Sequence, residues 1–224
     1  PIQTVTIPLD RREEVLQRIA SNCVEGKQVY WVCTLVEQSE TLDAQAAEAT
    51  FAEIKERFPE LNIGLVHGKM KADEKQAVMQ QFKDNQIQLL IATTVIEVGV
   101  DVPNASIMVI ENAERLGLSQ LHQLRGRVGR GAKASFCALL YKNPLSQNGQ
   151  ERLRIMRETN DGFVIAEKDL ELRGPGELLG TKQTGDMGFR VAKLERDDHL
   201  LAQAHHVAQQ ILKDYPAHAE ALLK

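Results

Sequence analysis

A chain of 224 residues is about one and a half domains at roughly 150 residues each. With 43% hydrophobic residues, 26% charged residues and a net charge of -4, its composition is that of a globular protein. The charge excludes a globally basic nucleic-acid binder, though not a local basic patch. The most apolar run, Leu89 to Val102, carries Glu97 and Asp101 and is too short to span a bilayer. No signal-peptide pattern opens the chain, and its first residue, Pro1, is expected of a processed or excised piece. The odd cysteine count (Cys23, Cys33, Cys137) in apolar surroundings predicts reduced core thiols of a cytoplasmic protein.

Taken in chain order, the elements alternate between strand and helix. Gln3 to Pro8 alternates apolar and polar residues, and Asp10 is expected to cap a helix whose Val15, Leu16 and Ile19 share a face. Val29 to Leu35 is a buried-strand run of β-branched and aromatic residues. Ala44 to Phe58 reads as a helix ended by Pro59. Strands are expected at Ile63 to His67, Leu89 to Thr93, Ile107 to Ile110 and Phe136 to Tyr141, with a helix at Ala72 to Phe82 between the first two. Short buried strands separated by helices predict an α/β fold with a mostly parallel sheet flanked by helices. The pattern changes over Lys142 to Gln150. Beyond it come a helix at Gln150 to Glu158, a turn at Asn160-Asp161-Gly162, a short charged helical turn at Glu167 to Arg173, a glycine-rich loop and a helical tail. The expected divisions are 1–145, 146–195 and 196–224.

Two segments carry candidate chemistry. In Gln120 to Gly131, QLHQLRGRVGRG, Arg125, Arg127 and Arg130 are interleaved with Gly126, Gly129 and Gly131. The guanidinium is a planar fork of donors suited to polyphosphate, and glycine permits close backbone approach. In Ala92 to Ala105, ATTVIEVGVDVPNA, a strand ends at Thr93-Thr94 and is followed by Gly99, Asp101 and Pro103. Ligands of open α/β sheets bind at the carboxyl ends of strands, where a threonine hydroxyl can hold a phosphate.

Together with Val29 to Leu35 and the pair His67-Gly68, these segments resemble the C-terminal RecA-like domain of superfamily 2 helicases, at the fourth, fifth and sixth helicase motifs. The resemblance implies a RecA-like, P-loop-NTPase-type sheet. It implies arginine fingers at Arg127 and Arg130, acting on the γ-phosphate of ATP bound to a partner domain, with Gln123 in the same catalytic segment. It further implies that Gly99 and Asp101 line the nucleotide cleft, and that Thr93 or Thr94, with His67, serves DNA contact or coupling.

Downstream, Asp161 to Gly185 reads DGFVIAEKDLELRGPGELLGTKQTG. It is similar to the translocation motif shared by the RecG family of branched-DNA helicases and the transcription-repair coupling factors. In that motif a helical hairpin and a following loop couple ATP hydrolysis to movement along duplex DNA; Arg173, Glu177 and Gln183 are the corresponding positions. The runs VYWVCTL, GLVHGKMK and PNASIMVIENAERLGLSQLHQLRGRVGRGAKASFCALLY are more similar to the RecG family.

There is no G-x-x-x-x-G-K-[ST] loop: Gly64 to Lys69 is one residue short, and Asp73-Glu74 stands at a helix start, where the macrodipole favours carboxylates. No metal site is supported, since the adjacent His205 and His206 point to different helix faces. The expectation is therefore the C-terminal motor half of an ATP-dependent DNA helicase that remodels branched DNA in recombination and repair, inactive as an isolated piece. ATP and Mg2+ would be held mainly by a partner RecA-like domain, and a wedge domain of the same polypeptide would split the branched duplex. A coupling-factor fragment and a non-catalytic RecA-like binding module are the alternatives.

Overall fold

The computed structural model describes residues 2–34, 40–93, 102–131 and 134–173. Of the expected site residues, Thr94, Gly99, Asp101, Glu177 and Gln183 lie outside these segments, as do Leu35 and the tail.

The strands are β1 (Ile2–Pro8), β2 (Gln28–Val32), β3 (Ile63–Val66), β4 (Leu89–Ala92), β5 (Ala105–Ile110) and β6 (Ser135–Tyr141). They form one sheet in the order β1-β6-β5-β2-β4-β3, and every pairing is parallel. The helices are α1 (Arg12–Val24), α2 (Glu40–Arg57), α3 (Ala72–Lys83), α4 (Leu118–Arg125), α5 (Gln147–Glu158) and α6 (Gly162–Arg173). The α/β parallel sheet expected from the alternation is thus observed.

Burial follows from the sheet's two covered faces. Every residue of β2, β4 and β5 is buried, so these strands read as near-continuous apolar runs, interrupted by Gln28 and Ser106. Side chains alternate between two cores. Tyr30, Val32, Leu90 and Met108 face one side with residues of α3, α4, α5 and α6, while Val29, Trp31, Leu89 and Ile107 face the other with α1 and α2. The edge strands β1 and β3 are only partly buried; β3 alternates, whereas in β1 Thr4 is the buried residue and Val5 is exposed. All three cysteines are buried thiols, and desolvation pushes each up to about 12, in keeping with the expected core role.

Several element bounds differ from expectation for local reasons. Asp10 does not cap α1: it lies within a 3-10 turn, Leu9–Arg11, and Arg12 N–H donates to Leu9 O. The charged turn at Glu167 to Arg173 is the end of a full helix that starts at Gly162. Asp161 starts that helix, because its Oδ1 accepts from Phe163 N–H at 2.8 Å and its carbonyl from Ile165 N–H at 3.0 Å. Gly64 belongs to β3, where a Cβ would meet Ile87 Cδ1 at 2.9 Å, so its glycine serves packing. Asp73 and Glu74 sit in the first turn of α3, and Glu74 Oε2 accepts from Lys71 N–H, the helix-start role expected for this pair.

Candidate functional site

The arginine-rich segment is built around α4. Gly117 is extended at the N-cap, and its N–H donates to Gln120 Oε1 at 3.4 Å. Leu118, Leu121, Leu124 and Arg125 turn inward, while Gln123 faces out. The helix stops at Gly126, and the chain turns through Val128 N–H to Arg125 O, 3.2 Å.

The fold separates the three arginines. Arg125 is 1% exposed. Its Nη1 donates to Met156 O at 2.7 Å, Thr159 O at 3.0 Å and Thr4 Oγ1 at 3.3 Å, which ties α4 to the end of α5 and to β1. Burial pulls its pKa below the ordinary value. Arg125 therefore holds the segment and is no phosphate ligand, which corrects the grouping of all three arginines as polyphosphate donors. Arg127 is half-buried and Arg130 exposed, its Nε donating to Gly126 O at 3.2 Å.

The glycines of this segment are explained by protein neighbours. At Gly129 φ is +85° and a Cβ would meet Ile2 Cγ1 at 2.8 Å; at Gly131 it would meet Pro103 O at 2.5 Å. Both open the backbone to packing within the chain, where the sequence suggested approach to a phosphate.

His122 stands between α4 and α6. Its Nδ1 lies 3.2 Å from Arg125 Nη2, and a Cβ on Gly162 would meet its Nε2 at 3.1 Å. A guanidinium only donates, so Nδ1 accepts and the ring proton sits on Nε2. Burial first, and the Arg125 charge second, push its pKa down, so the ring is neutral.

Because the strands are parallel, their carboxyl ends gather Thr34, His67, Thr93, Glu111 and Asn112 at one edge. Thr34 Oγ1 donates to Glu111 O at 2.6 Å, and Asn112, left-handed at φ 49°, returns its Nδ2 to Thr34 O at 3.1 Å. The Glu111 carboxylate accepts from Arg12 Nε at 2.6 Å and Trp31 Nε1 at 2.9 Å. Thr93 and His67 are neighbours, since Thr93 N–H donates to Val66 O at 3.2 Å. Both are buried: Thr93 is 2% exposed and His67 7%. His67 Nε2 meets Glu48 Oε1 at 3.0 Å, and its buried Nδ1 has no hydrogen-bond partner among the described residues.

Arg127 and Arg130 thus sit together after α4, and Thr93 and His67 together at the ends of β4 and β3. The sheet order inserts β2 between β5, which leads to α4, and β4. Arg173 ends α6, with Nη2 on Asp169 Oδ2 at 2.9 Å. Sequence reasoning missed the anchoring role of Arg125 and the roles of Glu48, Glu111 and Asn112. Only Arg125 left a signal, its spacing of seven from Leu118 and four from Leu121 on the buried face. Among the described residues no group of His, Cys, Asp or Glu is arranged to hold a metal, and no helix is long and apolar enough to cross a membrane.

Residues 11–132, more than half of the chain, match the model for the helicase conserved C-terminal domain. The chain belongs to the helicase conserved C-terminal domain family. Residues 159–221 match the model described as ATP-dependent DNA helicase RecG, domain 3, C-terminal. Among curated proteins, this helicase-family chain is similar to the ATP-dependent DNA helicase RecG of Escherichia coli (strain K12), with 62% identity over 100% of this chain and 32% of that protein. It is similar to the RecG of Haemophilus influenzae at 59% identity, with the same coverage, and to that of Bacillus subtilis at 48%, over 94% of this chain and 31% of that protein. The chain spans about a third of the length of these relatives.

Among solved structures, RecG bound to a three-way DNA junction aligns with a TM-score of 0.67 and 42% identity, over 89% of this chain and 25% of that one. Yeast Dbp5 bound to RNA and ADP BeF3 aligns with a TM-score of 0.54 at 16% identity, over 77% of this chain and 44% of that one. The Dbp5 likeness concerns the fold alone and shows it to be that of a RecA-like helicase C-terminal domain.

Proposed function

We propose that these residues form the C-terminal motor half of an ATP-dependent DNA helicase that remodels branched DNA, as in fork reversal and branch migration. The observation that carries this reading is the division of labour on one segment. Arg125 is buried and anchors α4, which leaves the half-buried Arg127 and the exposed Arg130 on a braced turn. Phosphoryl transfer needs positioned positive charge at the equatorial oxygens, and a braced arginine supplies it with little reorganisation. Similarity to RecG over the full chain, and to a RecG structure whose ligand is a three-way junction, supports branched DNA as the substrate class.

In this reading Arg127 and Arg130 act on the γ-phosphate of ATP, with Gln123 beside them on the outer face of α4. Gly99 and Asp101 line the cleft. Thr93, Thr94 and His67 serve the DNA side, as do Arg173, Glu177 and Gln183 in the coupling element. The half-buried Arg127 and exposed Arg130 on one turn fit a polyphosphate; Mg2+ would be held by ATP and by carboxylates of a partner RecA-like domain. The divisions 1–145, 146–195 and 196–224 are functional ones: motor domain, coupling element and tail. A wedge domain of the same polypeptide and a cytoplasmic location complete the reading.

The test is Arg130→Ala in a full-length polypeptide carrying these residues. Nucleotide binding should stay within a few-fold, while hydrolysis falls by on the order of a thousandfold. Wild-type turnover in that variant would remove Arg130 from the ATP site.

A further inference from the structure

The end of α6 meets the start of α4 through one carboxylate. Asp169 is a buried charged residue, 9% exposed, on a helix whose other buried residue is Ile165. Ser119, at the second position of α4, donates its Oγ to Asp169 Oδ2 at 2.7 Å. The same oxygen takes Arg173 Nη2 at 2.9 Å, one helical turn on. The guanidinium comes to rest over the N-cap of α4, where a Cβ on Gly117 would lie 3.9 Å from Arg173 Nη2.

Three independent effects favour this arrangement. The carboxylate lies near the positive end of the α4 dipole, accepts a hydroxyl hydrogen bond and neutralises a cation four residues on. Side-chain exposure of 12% for Asp169 against 51% for Arg173 shows which partner is fixed and which is presented.

Seen along α4, the contact has a counterpart. The far end of the helix, about 12 Å away at eight residues, is held by Arg125 on the carbonyls of Met156 and Thr159. The helix that leads to Arg127 and Arg130 is therefore gripped at both ends by the α5–α6 hairpin. A displacement of the arginine turn must carry the hairpin with it, and the direction in which Arg173 points is set at the Asp169 end.

We propose that Asp169 is a positioning residue that joins the arginine-bearing helix to Arg173, with Ser119 as its anchor on α4. This rests on the reading of the hairpin as a coupling element.

The experiment uses a full-length polypeptide carrying these residues. ATP turnover on a three-way DNA junction, junction unwinding and thermal unfolding are measured for Ser119→Ala, Ser119→Thr and Asp169→Asn. Ser119→Ala and Asp169→Asn should keep turnover within about twofold while junctions unwound per ATP fall about tenfold. Ser119→Thr, which keeps the hydroxyl, should restore the ratio. A proportional loss of turnover and unwinding, or an unchanged ratio, overturns the assignment. Where Asp169→Asn lowers the unfolding temperature, Ser119→Ala decides, because it deletes a single half-buried hydroxyl. Arg173→Ala separates the two levels. If unwinding per ATP is unchanged in it, the coupling reading itself falls; if the ratio drops there but not in Ser119→Ala or Asp169→Asn, only the role of Asp169 falls.

Discussion

The three arginines between Gln120 and Gly131 differ in what surrounds them. Arg125 is enclosed by Thr4, His122 and the carbonyls ending α5; Arg127 and Arg130 stand on the turn beyond it. His122 depends on that enclosure. Its neutral form is the one the fold accepts, since Nδ1 must offer a lone pair to Arg125. With the folded pKa below the ordinary value of 6.5, the unfolded chain takes up a proton first as pH falls. The contribution is complete above about 6.5 and lost as pH drops through the folded value. The stability of the 224-residue chain to thermal unfolding should therefore weaken as pH falls below about 6.5. The lowered carboxylates Glu13, Glu14 and Glu151, held down by arginine partners, lose their share only below the usual 4.5. His122→Asn, which keeps an acceptor but cannot charge, should flatten the profile just below 6.5; an unchanged slope there would remove His122 as its source.

Among the described α-helices, α4 is the shortest. Eight residues are too few for a stable isolated helix, so packing must hold it. Its buried leucines supply part of that, and Arg125 pins its end to α5 and β1. Arg125→Met keeps the bulk but strands the Met156 and Thr159 carbonyls, and should cost about 3 kcal/mol. The measurement is the denaturation midpoint at constant slope; a loss under about 1 kcal/mol would show that the carbonyls find other donors. The short length of α4 also explains why the segment reads in sequence as a motif before it reads as a helix. α6 was half legible, because the turn signal Asn160-Asp161-Gly162 is itself the helix start, with Asp161 as its cap.

At the scale of the whole molecule, a parallel sheet brings residues distant in sequence to one carboxyl edge, and helices on both faces hide the rest. The described residues of that edge carry candidate contacts, and the sequence holds no G-x-x-x-x-G-K-[ST] loop: Gly64 lies in β3, and Asp73 and Glu74 open α3. On the proposed reading Arg127 and Arg130 serve the transferring charge while a partner domain cradles the nucleotide, so these residues should not turn over ATP unaided. We expect hydrolysis by the purified 224 residues to stay at background with or without branched DNA. Robust DNA-stimulated turnover would refute the assignment of the nucleotide-holding groups to a partner domain.

The sequence by itself determined the α/β class, the parallel sheet and the membership that Gln120 to Gly131 announces. The class and the sheet rest on periodicity and the membership on a motif resemblance, all of them local and legible in one dimension. Only the tertiary structure decided which arginine is buried, what the glycines at 129 and 131 approach, and how Glu48 meets His67. It alone showed Ser119, Asp169 and Arg173 sharing a carboxylate oxygen. Apart from Asp169 and Arg173, one helical turn apart, those partners lie many residues from one another, and burial is set by what packs on a side chain. No reading of Arg125, Arg127 and Arg130 as a row of like charges can tell the anchor from the two it braces.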